Sequence, residues 1–402
     1  MSMNPIRIAC VAALVSALPL LCVAQDERAI LQRSLTGMGD TARLQHMLAK
    51  ARRGEPVVVG VIGGSITAGA RASKPELSWG NLAAKWWTDT FPQAKVTFVN
   101  AGIGATCSDL GAHRVQAHLL DRHPDIVMVE YAVNDGINPM AAETLEGLVR
   151  RTLKQPNQPA VLLLFTMDNK GANTQQAHME IGKHYGLPMA SFRDALWPEV
   201  EAKRIAWTDI ESDEVHPNDR GHAYCASFMT DICARVLKDL PADKDLPAIA
   251  ALPEPKTANL FENAGFYNAE TITPTKNEGW EVFTDPNFAG FFGKGWKTAA
   301  PGSTLEFKVE GRAVSLLFYR IKGAMGIARA QVDDQPPVTM DAWFAADWGG
   351  YAPFQLVARD LAPGPHNLRV TVLGDRNPES TGNEFHINAV LIAGQKESTA
   401  QQ

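Results

Sequence analysis

The stretch VVVGVIGGSITAGA, residues 57–70, passes from an apolar β-branched run into a glycine turn that carries a single serine, Ser65. A run of this kind suits a strand buried on both faces, and the turn marks a handover from strand to helix. Three roles compete for Ser65: part of a phosphate cradle, a nucleophile, or one residue of a plain structural turn.

The letters decide against the first. Gly64 and Gly69 have the separation of a phosphate loop, but Ala70 and Arg71 stand where lysine and Ser/Thr are required. The elbow of the α/β-hydrolases needs glycine two residues to either side of the serine; Gly63 is there, and Thr67 occupies the second place. What remains is a serine at the carboxyl end of a strand, the edge at which open α/β sheets bind ligands. On these residues alone, nucleophile and structural turn both stay open.

Working outward, strand-like runs alternate with helical ones. PVVVGVIG (56–63), KVTFVNAG (95–102), DIVMVEYA (125–132), AVLLLFTM (160–167) and PMASF (188–192) read as strands. Between and after them, LAAKWWTDTF (82–91), DLGAHRVQAHLLDRH (109–123), AAETLEGLVRRTLKQ (141–155), TQQAHMEIGKHYG (174–186) and HAYCASFMTDICARVL (222–237) read as helices. Near-continuous apolar strands separated by helices predict a parallel sheet covered on both faces, an α/β domain over residues 55–240. Ahead of it, residues 25–54 predict a helical lead-in with Leu31, Leu35, Leu44, Met47 and Leu48 on its apolar side.

Pro241, Pro247, Pro253 and Pro255 then mark a linker, residues 241–258. Beyond it the helical period vanishes. Short alternating runs such as STLEFKVEG (303–311), HNLRVTVLG (366–374) and EFHINAVLIAG (384–394), punctuated by Gly, Pro, Asn and Asp, predict an all-β sandwich over residues 259–396. It carries an aromatic-rich stretch, DAWFAADWGGYAPF (341–354), in which Trp343, Phe344, Trp348 and Tyr351 either face sugar rings or fill a core.

Composition narrows the partners. Acidic residues outnumber basic ones, 44 to 38, with no dense basic run, which argues against nucleic acid. The N-terminus has Arg7 ahead of an apolar run and small residues near Ala24, which predicts a secretory signal over residues 1–24 and a secreted or periplasmic chain. That run is too short to span a bilayer, and no later stretch is long enough either. Outside the signal three cysteines remain, Cys107, Cys225 and Cys233, an odd number that predicts buried free thiols rather than a disulfide framework. No Cys/His spacing suggests a metal site.

A nucleophilic serine needs a base and a carboxylate to orient that base. ESDEVHPNDRGH (211–222) supplies Asp213 and His216 three residues apart, ahead of a helix. An acyl-transfer site also needs donors for the oxyanion. VEYAVNDG (129–136) brings Asn134 to the same sheet edge, and NAGIGATCSD (100–109) is a glycine loop with free backbone N–H groups.

GGSITAG with Ser65, NAGIGAT, AVND with Asn134 and DEVHPND with Asp213 and His216 resemble, in order and separation, the four blocks of the SGNH (GDSL-like) hydrolases. The resemblance implies a flavodoxin-like three-layer α/β/α fold, with Ser65 as nucleophile, His216 as base and Asp213 as its orienter. It also implies an oxyanion hole from the N–H of Ser65, a loop N–H at Ala105 or Gly104, and Asn134. No metal or cofactor is implied. Three positions depart from the pattern: Gly64 replaces an aspartate, Ala105 a glycine, and Ala132 a glycine.

Chains of this pattern joined to a jelly-roll-like β-domain resemble secreted bacterial carbohydrate acetylesterases acting on xylan or xyloglucan. The expected activity is therefore removal of O-acetyl groups from a plant cell-wall polysaccharide through an acetyl-enzyme. Two other readings remain, a lipid or thioester acyl hydrolase and a non-catalytic carbohydrate-binding protein.

Overall fold

The computed structural model describes residues 27–286 and 289–395; the expected signal segment lies outside them. Residues 27–34 form α1, followed by β1 (Leu35–Gly37), α2 (Ala42–Arg52), β2 (Val57–Gly63), the four-residue α3 (Ser65–Ala68) and α4 (Trp79–Thr90). Next come β3 (Val96–Gly102), α5 (Ser108–His118), β4 (Ile126–Glu130), α6 (Ala141–Leu153), β5 (Ala160–Phe165) and α7 (Gln175–His184). β6 (Met189–Ser191), α8 (Phe192–Glu201), α9 (Trp207–Ile210) and the long α10 (Asp219–Lys238) complete the layer.

The strands lie in the order β1-β6-β5-β4-β2-β3. Apart from β1 all are parallel, and β3-β2-β4-β5-β6 is the flavodoxin-like order, in which the chain reverses direction across the sheet between β2 and β4. Every residue of β4 and β5 is buried, as continuous apolar runs require of strands covered on both faces. One apolar cluster joins the sheet to α2, α4 and α10, and another joins it to α5 and α6.

Two local expectations are corrected. The N-terminal segment is not wholly helical, because Leu35–Gly37 leaves the helix to pair antiparallel with β6 and covers that open edge of the sheet. After β6, Ser191 caps α8 by accepting from the Asp194 N–H at 2.9 Å, so Phe192 opens a helix rather than closing a strand. Pro198 inside α8 had masked its helical period.

The second unit is all antiparallel. β7 (Gly265–Tyr267), β8 (Lys276–Glu278), β9 (Glu281–Thr284), β10 (Lys294–Thr298), β11 (Thr304–Glu310) and β12 (Ala313–Phe318) are followed by β13 (Ile327–Val332) and β14 (Val338–Asp341). β15 (Phe354–Ala358), β16 (Pro365–Val372) and β17 (Phe385–Ala393) complete it. One sheet runs β15-β12-β17-β10-β9, with β7 also on β17, and the other runs β14-β13-β16-β11-β8. Between them Trp296, Phe307, Val370 and Phe385 form the sandwich core. The shortest strands had no sequence signal; β8 contains no apolar residue and is fully exposed.

The sandwich packs on the α5 and α6 face of the first unit. Ile103 and Leu110 share an apolar cluster with Phe292, Leu317, Ala352, Ala389 and Leu391. At its margin Arg150 donates to Glu262 at 2.6 Å, both nearly buried. The proline-rich segment between the units runs along the layer rather than away from it. His46 meets the Pro247 carbonyl at 2.9 Å, Arg150 the Pro253 carbonyl at 2.8 Å and His184 the Glu254 carbonyl at 2.7 Å.

Candidate active site

The site forms where β2, β3 and β4 end, beside the switch point of the sheet. A Cβ at Gly63 would fall 2.1 Å from Thr67 Oγ1 and 2.3 Å from the Glu130 carbonyl, so only glycine lets the chain turn this tightly from β2 into α3. Asn100 of the second block then holds α3 in place. Its Nδ2 donates to the Thr67 carbonyl at 2.9 Å, and its Oδ1 accepts from the Gly102 N–H at 2.8 Å.

Beneath the turn lies Arg114, wholly buried, which sequence reasoning did not single out. It donates to the carbonyls of Ala101 at 2.6 Å and Gly63 at 3.1 Å and to the Tyr131 hydroxyl at 2.9 Å, tying together the ends of three strands. Nothing in the sequence sets it apart from the other polar residues of α5, SDLGAHRVQAH. Asp135, next to Asn134, is buried as well and accepts from the Ser108 N–H at 2.8 Å while facing His178 Nε2 at 2.9 Å. That pair of contacts fixes the Asn134 turn against α5 and α7.

On this base the residues anticipated from the fourth block meet Ser65. His216 Nε2 lies 2.8 Å from Ser65 Oγ, and His216 Nδ1 lies 2.9 Å from Asp213 Oδ1 and 3.0 Å from Oδ2. Asp213 also accepts from the backbone N–H groups of Val215 and His216, each at 3.0 Å, and from Arg71 Nε at 3.0 Å. Burial alone would raise the Asp213 carboxyl, but these donors hold it well below the usual carboxylate range. The carboxylate thus stays ionised and holds the imidazole in the tautomer whose Nε2 can take a proton from the serine hydroxyl.

Backbone of the second block lies close to Ser65, since a Cβ at Gly104 would stand 3.9 Å from the Ser65 Cβ. As the first residue of α3, Ser65 has no intrahelical acceptor for its N–H. The N–H groups of Gly104 and Ala105 have no partner among the described residues. Asn134 buries Oδ1 with no partner among the described residues. Ala105 has φ +55°, in the left-handed region, which is the physical reason glycine is usual at this place.

The four anticipated aromatics divide. Trp343 is 7% exposed and belongs to the sandwich core, the second of the two roles open to this stretch. Trp348 is 62% exposed and packs against Phe344 and Tyr351, with ring centroids 5.0 to 5.7 Å apart in this trio. Within this trio the Phe344 and Tyr351 rings are the nearest pair, at 5.0 Å, and the Arg320 guanidinium sits over both. Tyr351 lines a cleft of about 280 Å³ between the two units, together with Ala105, Ile137, Met140 and Phe354. Ile137, three residues beyond Asn134 on the cleft wall, is 87% exposed and carried no sequence signal. Of the thiols, Cys225 and Cys233 are buried and free, whereas Cys107 is only half-buried and donates to the Asn134 carbonyl at 3.2 Å.

A parallel flavodoxin-like sheet whose switch point carries a serine, a histidine and an aspartate in one hydrogen-bonded chain defines an SGNH-type carboxylic ester hydrolase. The chain belongs to the GDSL-like Lipase/Acylhydrolase family, which it matches over residues 61–224. Over its whole length it is similar to a two-domain esterase, CEX, described as active on acetylated mannans. The two are 31% identical with a TM-score of 0.84 over 91% of this chain and 99% of that one. The same esterase co-crystallised with mannopentaose aligns with a TM-score of 0.82 over 92% and 99% of the two chains, again at 31% identity. The catalytic unit is also similar to thioesterase 1/protease 1/lysophospholipase L1 of Escherichia coli (strain K12), 27% identical over 42% of this chain and 79% of the relative. Among the described residues no helix is long and apolar enough to cross a membrane.

Proposed function

We propose that the protein is an exported O-acetylesterase that deacetylates a plant cell-wall polysaccharide of the xylan, xyloglucan or mannan type. Ser65 Oγ attacks the acetyl carbonyl while His216 takes its proton. The tetrahedral oxyanion is bound by the N–H of Ser65, by a loop N–H at Ala105 or Gly104, and by Asn134 Nδ2. His216 returns the proton to the sugar hydroxyl as it leaves, and water, activated by the same imidazole, releases acetate from Ser65. The observation that carries this reading is the unbroken chain from Ser65 through His216 to Asp213, with spacings of 2.8 and 2.9 Å.

Polysaccharide as the acyl carrier is supported by the whole-length similarity to a mannan esterase and by the cleft that begins at Ala105. Tyr351 lines its β-domain side, and Phe344 and Trp348, packed against Tyr351, supply flat faces of the kind that sugar rings stack on. Export rests on the N-terminal segment, residues 1–24, and is tested by finding Gln25 as the first residue of the mature chain.

The test is acetate release from acetylated mannan, xylan, xyloglucan, pectin and peptidoglycan. Release from one or more of the first three at rates well above the others is the expected result; release from none of them overturns the assignment. A second reading, an acyl hydrolase for longer chains, draws on the apolar wall formed by Leu110, Ile137, Met140 and Leu356 and on the Escherichia coli relative. Octanoyl esters cleaved faster than acetyl esters would favour it.

A further inference from the structure

Arg71 stands just beyond α3, six residues after Ser65 and 142 before Asp213, and its Nε donates to Asp213 Oδ2 at 3.0 Å. Beyond helping to keep Asp213 ionised, it has no part in the steps above. Its backbone has φ +67°, a conformation that L side chains other than glycine and asparagine seldom adopt, so the surrounding structure must hold it there.

Two side chains from the first turn of α10 do so. His222 is wholly buried; one ring nitrogen lies 3.0 Å from the Ala70 carbonyl, and the other accepts from the Trp79 N–H at 3.3 Å. Asp219 accepts from the N–H of Ser73 at 2.7 Å and from its hydroxyl at 2.6 Å. The loop that carries Arg71 is therefore clamped on both sides by the helix that begins just after His216. Residues 216 to 222, HPNDRGH, both supply the imidazole and fasten the loop that reaches Asp213 from the opposite side.

The effect on Asp213 is specific to one oxygen. Oδ1 accepts from the N–H groups of Val215 and His216 and faces His216 Nδ1, whereas Oδ2 has only His216 Nδ1 and Arg71. The Asp213 side chain is 31% exposed, so without Arg71 water would compete for Oδ2 and the carboxylate plane would be free to turn away from the imidazole. Trp207 Nε1 holds the Asp213 carbonyl at 2.7 Å, which fixes the backbone but not that plane.

We propose that Arg71 is a positioning residue of the active site, keeping the Asp213 carboxylate in the plane of the His216 ring so that Nε2 stays aimed at Ser65. The proposal rests on the reading of Ser65, His216 and Asp213 as a triad. Because the ion pair is largely solvated, the effect is modest: Arg71→Met should lower kcat on a small acetyl ester about fivefold to tenfold and leave KM within about twofold. Arg71→Lys, which restores a cation near Oδ2, should recover most of the loss.

The decisive readout is a double-mutant cycle with Asp213→Asn. Once the carboxylate is gone Arg71 has nothing to orient, so adding Arg71→Met should change kcat less than about twofold. Methionine retains the left-handed backbone cost, and Arg71→Gly removes it; both should lose activity alike if the guanidinium is what matters. Wild-type kcat in Arg71→Met, full activity in Arg71→Gly, or losses that simply add to those of Asp213→Asn would overturn the proposal. Undiminished activity in Asp213→Asn alone would instead sink the triad reading on which it rests.

Discussion

Gly64 and Asn134 compete for one space: a Cβ at position 64 would fall 2.6 Å from Asn134 Oδ1 and 3.0 Å from its Cγ. Where the family pattern has an aspartate before the serine, this chain has no side chain, and the Asn134 carboxamide lies over the gap. Gly64→Ala should therefore push Asn134 out of line with the oxyanion without disturbing the core. One donor of this type is worth roughly two to three orders of magnitude, so a partial displacement should lower kcat by about tenfold to a hundredfold. Steady-state kinetics beside a thermal melt will check it; a fall in Tm with kcat intact would mean that Gly64 serves the fold instead.

Ser65 and His216 should behave as one unit. Each alanine variant should lose at least about three orders of magnitude of kcat on a small acetyl ester, and the double variant little more. Asp213→Asn should be the mildest of the three. Intact mass after treatment with a phosphonate ester should show one adduct in the wild type and none in Ser65→Ala.

Ala105 holds a left-handed backbone in the loop proposed to bind the oxyanion. Ala105→Gly should keep kcat within about threefold, since glycine adopts the same backbone conformation without strain and presents the same N–H. Ala105→Val, whose branched Cβ tolerates positive φ poorly, should cost about 1–3 kcal/mol and lower kcat sharply. Urea unfolding of the two variants side by side separates the outcomes.

Trp343 and Trp348 should part company. Trp343→Ala opens a hole in the sandwich core and should cost about 3–5 kcal/mol. Trp348→Ala should leave the melting temperature nearly unchanged and raise KM on acetylated polysaccharide several-fold, with nitrophenyl acetate hydrolysis largely retained. Equal loss on both substrates would remove Trp348 from substrate binding.

Glu211 gives the stability a pH dependence. Burial, and the charge of Asp213 beside it, push the Glu211 carboxyl up to about 9, and Oε2 is buried with no partner. An unfolded glutamate releases its proton near pH 4.3. Above that pH the folded chain retains a proton that the unfolded chain has lost, so the site's contribution is complete in acid and declines as pH rises toward 9. Glu211→Gln should flatten this slope, by at most about 1.4 kcal/mol per pH unit. Urea midpoints of both proteins at about pH 5 and about pH 8 measure it, and parallel slopes would show that Glu211 is ionised.

The alternation of apolar strands and helices was legible because the hydrophobic period is a local property, readable a few residues at a time. The same holds for the four blocks. Each is a short segment at a strand end, and a parallel sheet with this strand order gathers such ends at one edge whatever lies between them. Ser65, Asn134, Asp213 and His216 could thus be assembled on paper, although Ser65 and His216 lie 151 residues apart.

What a local period does not carry is which side of a packed surface a residue faces, or which distant group it meets. Trp343 and Trp348 sit five residues apart in one aromatic stretch, and only the closure of two sheets over the first leaves the second in solvent. The antiparallel addition of Leu35–Gly37 depended on β6 offering an open edge, which no property of residues 27–53 announces. Arg114 and Arg71 look like ordinary charges in the sequence. One becomes the buried clasp of three strand ends and the other a partner of Asp213, because folding brings carbonyls and a carboxylate within hydrogen-bond reach of them. The sequence by itself determined the layered fold and the chemical groups of the site, through patterns repeated within single elements. The tertiary structure alone decided burial, the apolar seam between the two units and the contacts that hold the site in register, since each depends on surfaces that meet only when the chain is folded.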